Sequence, residues 1–347
     1  MTADALLSLT GLKTQFATRE GVVRAVDGVT LDVHRGRTLC IVGESGSGKS
    51  MLARSILQIV SRPGRVVDGT MVLRRPGQDP VDIAALDPAG RAIRALRGRD
   101  IAMIFQEPMN SLSPVHTIGS QLVEKILLHH PVTKRQALEQ AADALGRVGI
   151  PAPRDRLARY PFELSGGMRQ RVMIAMALAC RPAMLIADEP TTALDVTTQA
   201  NILALIKDLQ RETGMAVLFI THDLGVVAEI ADEVAVMYLG RIMEQGTALQ
   251  IFDSPQHPYT IALMRSIPTL GARRRRGQRL DAIEGMVPHA LNRPVGCPFH
   301  TRCREAVPGL CDASAPPVVE IVPGQRVACH LRQPAERPSP AVMQVAR

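Results

Sequence analysis

The chain has 347 residues, of which 46% are hydrophobic and 21% charged, with a formal net charge of +8. These values are typical of a folded globular protein and exclude a largely disordered chain. The chain has no tryptophan and few other aromatic residues, which argues against the stacking platforms that bind single-stranded nucleic acid, and we expect no nucleic-acid partner.

The N-terminus, MTADALLSLTGLKTQ, lacks the basic segment and apolar run of a secretory signal. No uncharged apolar stretch approaches the roughly 20 residues of a membrane-spanning helix. We therefore expect a protein that stays in the cytosol or lies against a membrane without crossing it.

The elements along residues 1–265 predict an α/β domain with a largely parallel sheet. The segment VVRAVDGVTLDVHRG alternates and ends in a turn, which predicts a small antiparallel sheet near the N-terminus. Short continuous apolar runs, which are typical of buried strands, are TLCIVG (38–43), IAMIF (101–105), AMLIADE (183–189) and MAVLFITHD (215–223). The pattern between residues 118 and 179 is mostly helical. Prolines and a run of four arginines at 273–276 then predict a boundary near 266, followed by a loop-rich tail.

The segment GESGSGKS, residues 43–50, follows a predicted strand and precedes the apolar helical run MLARSILQIV. Glycines at these positions allow backbone N–H groups to surround a phosphate, and the start of the next helix adds its positive dipole end. Lys49 would then reach the terminal phosphates and the Ser50 hydroxyl would bind Mg²⁺. The alternative is a flexible surface loop, which the flanking strand and helix argue against.

Two further motifs lie downstream. In AMLIADEP, Asp188 and Glu189 end a buried strand, where Asp188 could hold Mg²⁺ and Glu189 could orient or deprotonate a water molecule. In LSGGMRQR, Ser165, Gly166 and Gly167 open a helix, which could serve as a second anion site or as a simple helix cap on Ser165.

The ordered set of GESGSGKS, Gln106, LSGGMRQR, LIADEPTTALD and THD resembles the nucleotide-binding subunits of ATP-binding cassette (ABC) transporters, over about residues 5–265. The resemblance implies a P-loop NTPase (RecA-like) core with an N-terminal antiparallel β subdomain and a helical subdomain at about 110–180. It implies ATP and Mg²⁺ as ligands, and an ATP-driven dimer in which the signature LSGGMRQR of one subunit covers the phosphate loop GESGSGKS of the other.

The resemblance also assigns roles to residues. Those implied to hold the nucleotide are Phe16 (stacking on adenine), Gly43, Ser45, Gly46, Gly48, Lys49, Ser50, Gln106, Ser165, Gly166, Gly167, Asp188 and Asp195, the last at the dimer seam. Those implied to bind Mg²⁺ are Ser50, Gln106 and Asp188. Those implied to act in hydrolysis are Glu189, His222, Gln106 and Lys49, with His222 contacting the terminal phosphate and pairing with Glu189.

The remaining segment, 266–347, carries Cys297, Cys303, Cys311 and Cys329 at irregular spacing. A cytosolic cysteine cluster is more often metal-binding or catalytic than disulfide-bonded. A [4Fe–4S] cluster, a structural Zn²⁺ site and four unrelated thiols all remain open, although zinc sites usually show closely spaced pairs that this segment lacks. Cys40 and Cys180 lie in apolar runs and are expected to be buried small hydrophobes.

The tail, including HPYT at 257–260, resembles the C-terminal extension of the ATPases of oligopeptide, dipeptide and nickel importers. This second resemblance implies import of peptides, with nickel or another small solute as the alternative, and members of the subfamily carry a [4Fe–4S] cluster on this cysteine pattern. It implies a second ATPase subunit (identical or related), two integral membrane permease subunits, an extracytoplasmic solute-binding protein, and a peripheral location on the cytoplasmic face of the inner membrane. A soluble ABC ATPase that acts on DNA or ribosomes and an iron–sulfur sensor that happens to bind ATP are the other candidates.

Overall fold

A computed structural model describes residues 5–106, 112–192, 194–266 and 283–334. The strands are β1 (Ala5–Thr18), β2 (Gly21–His34), β3 (Thr38–Val42), β4 (Gly64–Leu73), β5 (Val81–Asp82), β6 (Ile101–Ile104), β7 (Met184–Asp188), β8 (Ala216–Ile220), β9 (Glu233–Tyr238), β10 (Arg241–Thr247), β11 (Val318–Val322) and β12 (Gln325–Ala328). The α-helices are α1 (Lys49–Ile56), α2 (Arg91–Leu96), α3 (Ile118–His129), α4 (Lys134–Arg147), α5 (Pro153–Leu157), α6 (Gly166–Leu178), α7 (Val196–Thr213), α8 (Leu224–Ile230), α9 (Ala248–Asp253) and α10 (Pro258–Arg265).

The central sheet has eight strands in the order β11-β12-β10-β9-β3-β8-β7-β6. The five strands from β9 to β6 in this order are parallel. Strands β3, β7 and β8 are buried along their whole length, as their continuous apolar runs predict for strands covered on both faces. The carboxyl ends of β3, β7 and β8 therefore lie side by side, and the predicted motifs follow directly from them.

A second sheet, β2-β1-β4-β5, is antiparallel and confirms the predicted N-terminal β subdomain. Its apolar side chains share one buried cluster with α1 and with one face of the central sheet. The helical segment between β6 and β7 also agrees with the prediction. Its helices begin at side-chain caps, with Thr117 capping α3, Thr133 closing a capping box on α4, and Ser165 capping α6.

The described part of the tail is mostly loop, as predicted, but it also contains two strands that were not predicted. Residues 318–328 form a hairpin, and β12 pairs with β10 so that the hairpin extends the central sheet. Its sequence VVEIVPGQRVA contains a Pro-Gly turn in which Gly324 has a φ of 83°, as a tight turn with a left-handed residue requires.

The tail is also fastened to the core by an aromatic cluster. Phe299 packs against Tyr238 of β9 and Tyr259 of α10, with ring centroids 5.4 and 5.1 Å away. All three rings are buried. The predicted boundary at 265/266 adjoins residues 267–282, which are outside the described residues, so it stays a prediction.

Within the described residues, every helix is too short or too polar for a transmembrane segment. Cys40 and Cys180 are buried in the core, which confirms their prediction as small hydrophobes.

Candidate functional site

The loop 43–48 connects β3 to the start of α1 in a conformation that requires glycine at two positions. Gly43 and Gly48 both have positive φ, at 149° and 102°. A Cβ on Gly43 would overlap the carbonyl oxygen of Met237, and one on Gly48 would overlap that of Ala25. The loop thus wraps closely against neighbouring backbone at the N-terminus of α1, as a phosphate cradle requires.

Lys49 lies in the floor of this loop. Its Nζ donates hydrogen bonds to the carbonyl oxygens of Gly43 at 2.7 Å and Glu44 at 3.0 Å. Burial lowers the pKa of this ammonium, against the opposing effect of the Glu189, Asp188 and Glu44 carboxylates. A phosphate would provide the full negative charge that these carbonyl dipoles only partly replace.

Asp188 ends β7 beside Ser50. The Ser50 hydroxyl donates to Oδ1 of Asp188 at 3.0 Å, whereas Oδ2 is buried and has no hydrogen-bond partner among the residues that the structure describes. Burial raises the pKa of this carboxyl, with Ser50 acting in the opposite direction. An unpartnered carboxylate oxygen next to a hydroxyl suits a hard cation such as Mg²⁺, which prefers oxygen ligands.

Glu189, the next residue, lies where three motifs converge. Its carboxylate accepts from Thr192 Oγ1 at 3.0 Å and from Gln106 Nε2 at 3.3 Å, and lies 3.1 Å from His222 Nδ1. Burial would raise the pKa of Glu189, but the hydrogen bonds from His222 and Thr192 outweigh it and keep the pKa below its usual value. Its φ of 49° is uncommon for a non-glycine residue, and such backbone strain concentrates at functional sites.

The structure thus brings Gln106, Asp188, Glu189 and His222 together with the loop of residues 43–50. Thr192 belongs to this group but was missed, although it lies in the quoted motif EPTTALD. A hydroxyl three residues after a glutamate on a tight turn is the signal that could have identified it.

Ser165 and Asp195 have a different setting. Ser165 Oγ accepts from the Met168 N–H at 3.4 Å and caps α6, and Asp195 caps α7 through Thr198, whose N–H is 2.9 Å away. Ser165, Gly166 and Asp195 are exposed, and Gly167 is half-buried. None of the hydrogen bonds among the described residues joins them to the phosphate loop, so their predicted roles remain predictions.

Phe16 is half-buried near the end of β1, where its ring packs over Gly64 of β4. Its predicted stacking on adenine also remains a prediction.

The four tail cysteines converge in one segment. The Cys297 N–H donates to the Cys311 carbonyl at 2.8 Å, and the Val307 N–H points at Cys311 Sγ at 3.4 Å. Burial raises the pKa of the Cys297 thiol to about 11, and the nearby thiols of Cys329, Cys303 and Cys311 add to this effect. Nevertheless, no three His, Cys, Asp or Glu side chains of the described residues are arranged to hold a metal ion, so the predicted metal site is not confirmed.

Comparisons with known proteins agree with this geometry. The family model described as "ABC transporter" matches residues 26–192, and that described as "Oligopeptide/dipeptide transporter, C-terminal region" matches residues 243–311.

A putative peptide import ATP-binding protein of Brucella melitensis is 51% identical over 325 residues, which are 92% of this chain and 95% of that protein. The oligopeptide transport ATP-binding protein of Escherichia coli is 46% identical, with 94% and 93% covered.

Among solved structures, a dimeric ATP-binding cassette in a post-hydrolysis state, bound to ADP and phosphate, has a TM-score of 0.61 at 25% identity. The match covers 70% of this chain and 98% of that one. The predicted fold class and family are thereby confirmed: the chain belongs to the ABC transporter family, as one of its ATP-hydrolysing subunits.

Proposed function

We propose that this chain powers the import of di- or oligopeptides by ATP-driven closure of an ATPase dimer. The observation that carries the proposal is the position of Glu189, held by Gln106, Thr192 and His222 beside the phosphate loop. The peptide cargo is supported by the C-terminal region matched at 243–311 and by the peptide transport proteins among the relatives.

The loop would hold ATP through backbone N–H groups at Gly43, Ser45, Gly46 and Gly48, with Lys49 on the terminal phosphates. Phe16 would stack on adenine. Ser50, Asp188 and Gln106 would hold Mg²⁺, which would neutralise phosphate charge when bound.

In the hydrolytic step, Glu189 would take a proton from a water molecule whose oxygen attacks the terminal phosphorus. The bond from that phosphorus to the bridging oxygen breaks, and ADP and inorganic phosphate result. His222 would orient the Glu189 carboxylate and contact the terminal phosphate, because its side chain is 61% exposed and only one nitrogen faces Glu189.

The N-termini of α6 and α7, at Ser165–Gly167 and Asp195, would complete the site of a second ATPase subunit, either another copy or a related chain. Ser165, Gly166 and Asp195 are exposed, and a phosphate held by the partner's loop is the anion that these helix N-termini would bind.

The helical region would dock onto two integral membrane permease subunits at the cytoplasmic face of the inner membrane, with an extracytoplasmic solute-binding protein delivering the cargo. Residues 110 and 111 of this region lie outside the described residues. A groove of about 550 Å³ between α3, α4 and α5 supports this assignment, since its lining includes Val123 and Leu138 and Leu138 is exposed. The exposed Leu138 is an apolar contact that this groove would offer to a permease subunit.

A Glu189→Gln variant tests the proposed role of Glu189 in ATP hydrolysis. It should lower ATP turnover by roughly 10²–10⁴-fold, which is the usual contribution of a general base, while nucleotide binding is kept. The control is Glu20→Gln, the same change in an exposed turn. Turnover that stays at the wild-type rate would contradict the assignment.

Reconstitution with the permeases and the binding protein tests the cargo. Peptides should stimulate ATP hydrolysis and accumulate in vesicles, whereas stimulation only by nickel chelates or another small solute would contradict peptide import.

We also propose that Cys297, Cys303, Cys311 and Cys329 hold a [4Fe–4S] cluster. Four thiols in a loop-rich segment, with a backbone N–H directed at one sulfur, are chemically suited to it. A cluster separates its thiolates more widely than a single tetrahedral ion does. Such a cluster would add folding energy to the tail.

Protein purified without oxygen should contain iron and acid-labile sulfide and absorb visible light. Cys303→Ser should remove these signals, and Cys180→Ser, at a buried cysteine of the core, should not. Stoichiometric zinc, or no metal, would contradict the proposal.

A further inference from the structure

An ion pair that no motif predicted joins the phosphate loop, residues 43–50, to the cysteine segment, residues 297–329. Arg302 directly precedes Cys303. Its two terminal guanidinium nitrogens donate hydrogen bonds to the carboxylate of Glu44 in the phosphate loop. Nη1 lies 2.6 Å from Oε2 and Nη2 lies 3.0 Å from Oε1. This bidentate geometry is the strongest form of an arginine–carboxylate contact.

The pair is shielded from solvent. The Arg302 side chain is 4% exposed and that of Glu44 is 26% exposed. Exposed ion pairs contribute little because water and salt screen them, but screening is weak for a pair of this burial.

Arg302 is itself held in place from the tail and from the core. Its Nε donates to the Glu284 carbonyl at 3.0 Å, and Nη1 lies 3.3 Å from the Tyr238 hydroxyl. Its guanidinium carbon is 6.0 Å from the centre of the Phe299 ring. Its position therefore depends on how the cysteine segment folds.

Glu44 is held on its backbone as well. Its N–H donates to the Tyr259 hydroxyl at 2.9 Å, and its carbonyl accepts from Lys49 at 3.0 Å. The carboxylate of Glu44 is thus a negative charge within the loop that receives phosphate, near the lysine that must bind it. Without a partner it would repel the phosphates and compete for Lys49.

We propose that Arg302 is a positioning residue for the ATP site, which neutralises Glu44 and turns it away from the phosphates, so that nucleotide affinity depends on the folded cysteine segment. The inference rests on the proposed function, in which residues 43–50 hold ATP. It makes the tail a support for the phosphate loop, on the same subunit.

The first test is Arg302→Met in the full chain, compared with Arg304→Met. Arg304 lies two residues away and pairs with Glu284 on the surface, where both side chains are more than two-thirds exposed. Arg302→Met should raise the Kd and the KM for Mg·ATP roughly tenfold or more, as loss of a charge-assisted pair allows. The kcat at saturating ATP should change little. Arg304→Met should change neither quantity.

The decisive test is a double variant. If the harm comes from an unpaired Glu44 carboxylate, Glu44→Ala should restore the affinity of Arg302→Met to within a few-fold of wild type. Arg302→Lys, which keeps the charge without the planar fork, should give an intermediate KM. Thermal unfolding, together with iron and sulfide content, monitors the tail in every variant.

If Arg302 merely holds the tail together, Arg302→Met will lower the unfolding temperature, and Glu44→Ala will not rescue ATP affinity. That result would overturn the inference, as would an unchanged KM in Arg302→Met. A wild-type chain that binds no nucleotide would overturn the proposed function itself and this inference with it.

Discussion

Replacing Asp188 with asparagine should make the nucleotide-free protein more stable and its complex with Mg·ATP less so. The Asp188 side chain is 1% exposed, and its Oδ2 has no hydrogen-bond partner among the described residues. A buried polar group without a partner costs about 1–3 kcal/mol, and more when it is charged. Asparagine keeps an oxygen for the Ser50 hydroxyl and removes the buried charge.

A gain of about 1 kcal/mol raises the unfolding temperature by roughly 2–4 °C in a domain of this size. Saturation with Mg·ATP at about 100 times Kd stabilises wild type by about 2.7 kcal/mol, whereas a hundredfold loss of affinity would leave about 0.4 kcal/mol. Because burial raises the pKa of Asp188 in the fold, wild type recovers stability as pH falls, and the gap to the variant narrows.

The assay is thermal unfolding of both proteins with no ligand, with Mg·ATP, and with ATP in the presence of EDTA. In EDTA, ATP should raise the unfolding temperature of the two proteins equally, because the phosphate loop and Lys49 are intact in both. If Mg·ATP stabilised the Asp188→Asn variant against thermal unfolding as much as it stabilises wild type, the assignment of Asp188 as a metal ligand would be refuted.

Three further changes have defined outcomes. His257→Asn should weaken the pH dependence of the free energy of unfolding measured in urea. Burial lowers the pKa of His257 to about 3, so as the pH falls this residue is protonated in the unfolded chain before it is protonated in the folded one. Through this group, the wild-type free energy of unfolding should fall by about 2 kcal/mol between pH 7 and pH 5. An equal dependence of the free energy of unfolding on pH in the two proteins would contradict this prediction. Gly43→Ala should abolish ATP binding in calorimetry, because the added Cβ overlaps the Met237 carbonyl. In the control Gly77→Ala, which also has a positive φ, the added Cβ faces open space and binding should stay intact; retained binding in Gly43→Ala would disprove the close fit of the loop. Asp195→Ala removes the cap of α7 and should lower the free energy of unfolding by about 1 kcal/mol in urea titration, an effect whose absence would show that the cap is dispensable.

Local patterns predicted most of the residues of the candidate site. Continuous apolar runs identified the parallel strands, and polar residues at their carboxyl ends fall at one edge of the sheet, which is why Asp188, Glu189 and His222 meet the phosphate loop. This follows from the topology of parallel strands rather than from any single motif.

The tail was predicted less well, and the reasons differ. The hairpin of β11 and β12 was hidden because its strands are short and flank a Pro-Gly turn in a proline-rich segment. The contact between Arg302 and Glu44 joins residues 258 positions apart, and no local pattern predicts so distant a pair. The predicted roles of Ser165 and Asp195 depend on contact with a second subunit, so they stay predictions.

The most direct test of the central claim is the mass, by light scattering, of the Glu189→Gln variant with Mg·ATP, alone and mixed with a related ATPase subunit. A long-lived, nucleotide-dependent particle of two ATPase subunits, which Ser165→Arg on one partner disperses, is the predicted result. A Glu189→Gln variant that stays a single subunit, both alone and with the related subunit, while it hydrolyses ATP at the wild-type rate would contradict the account.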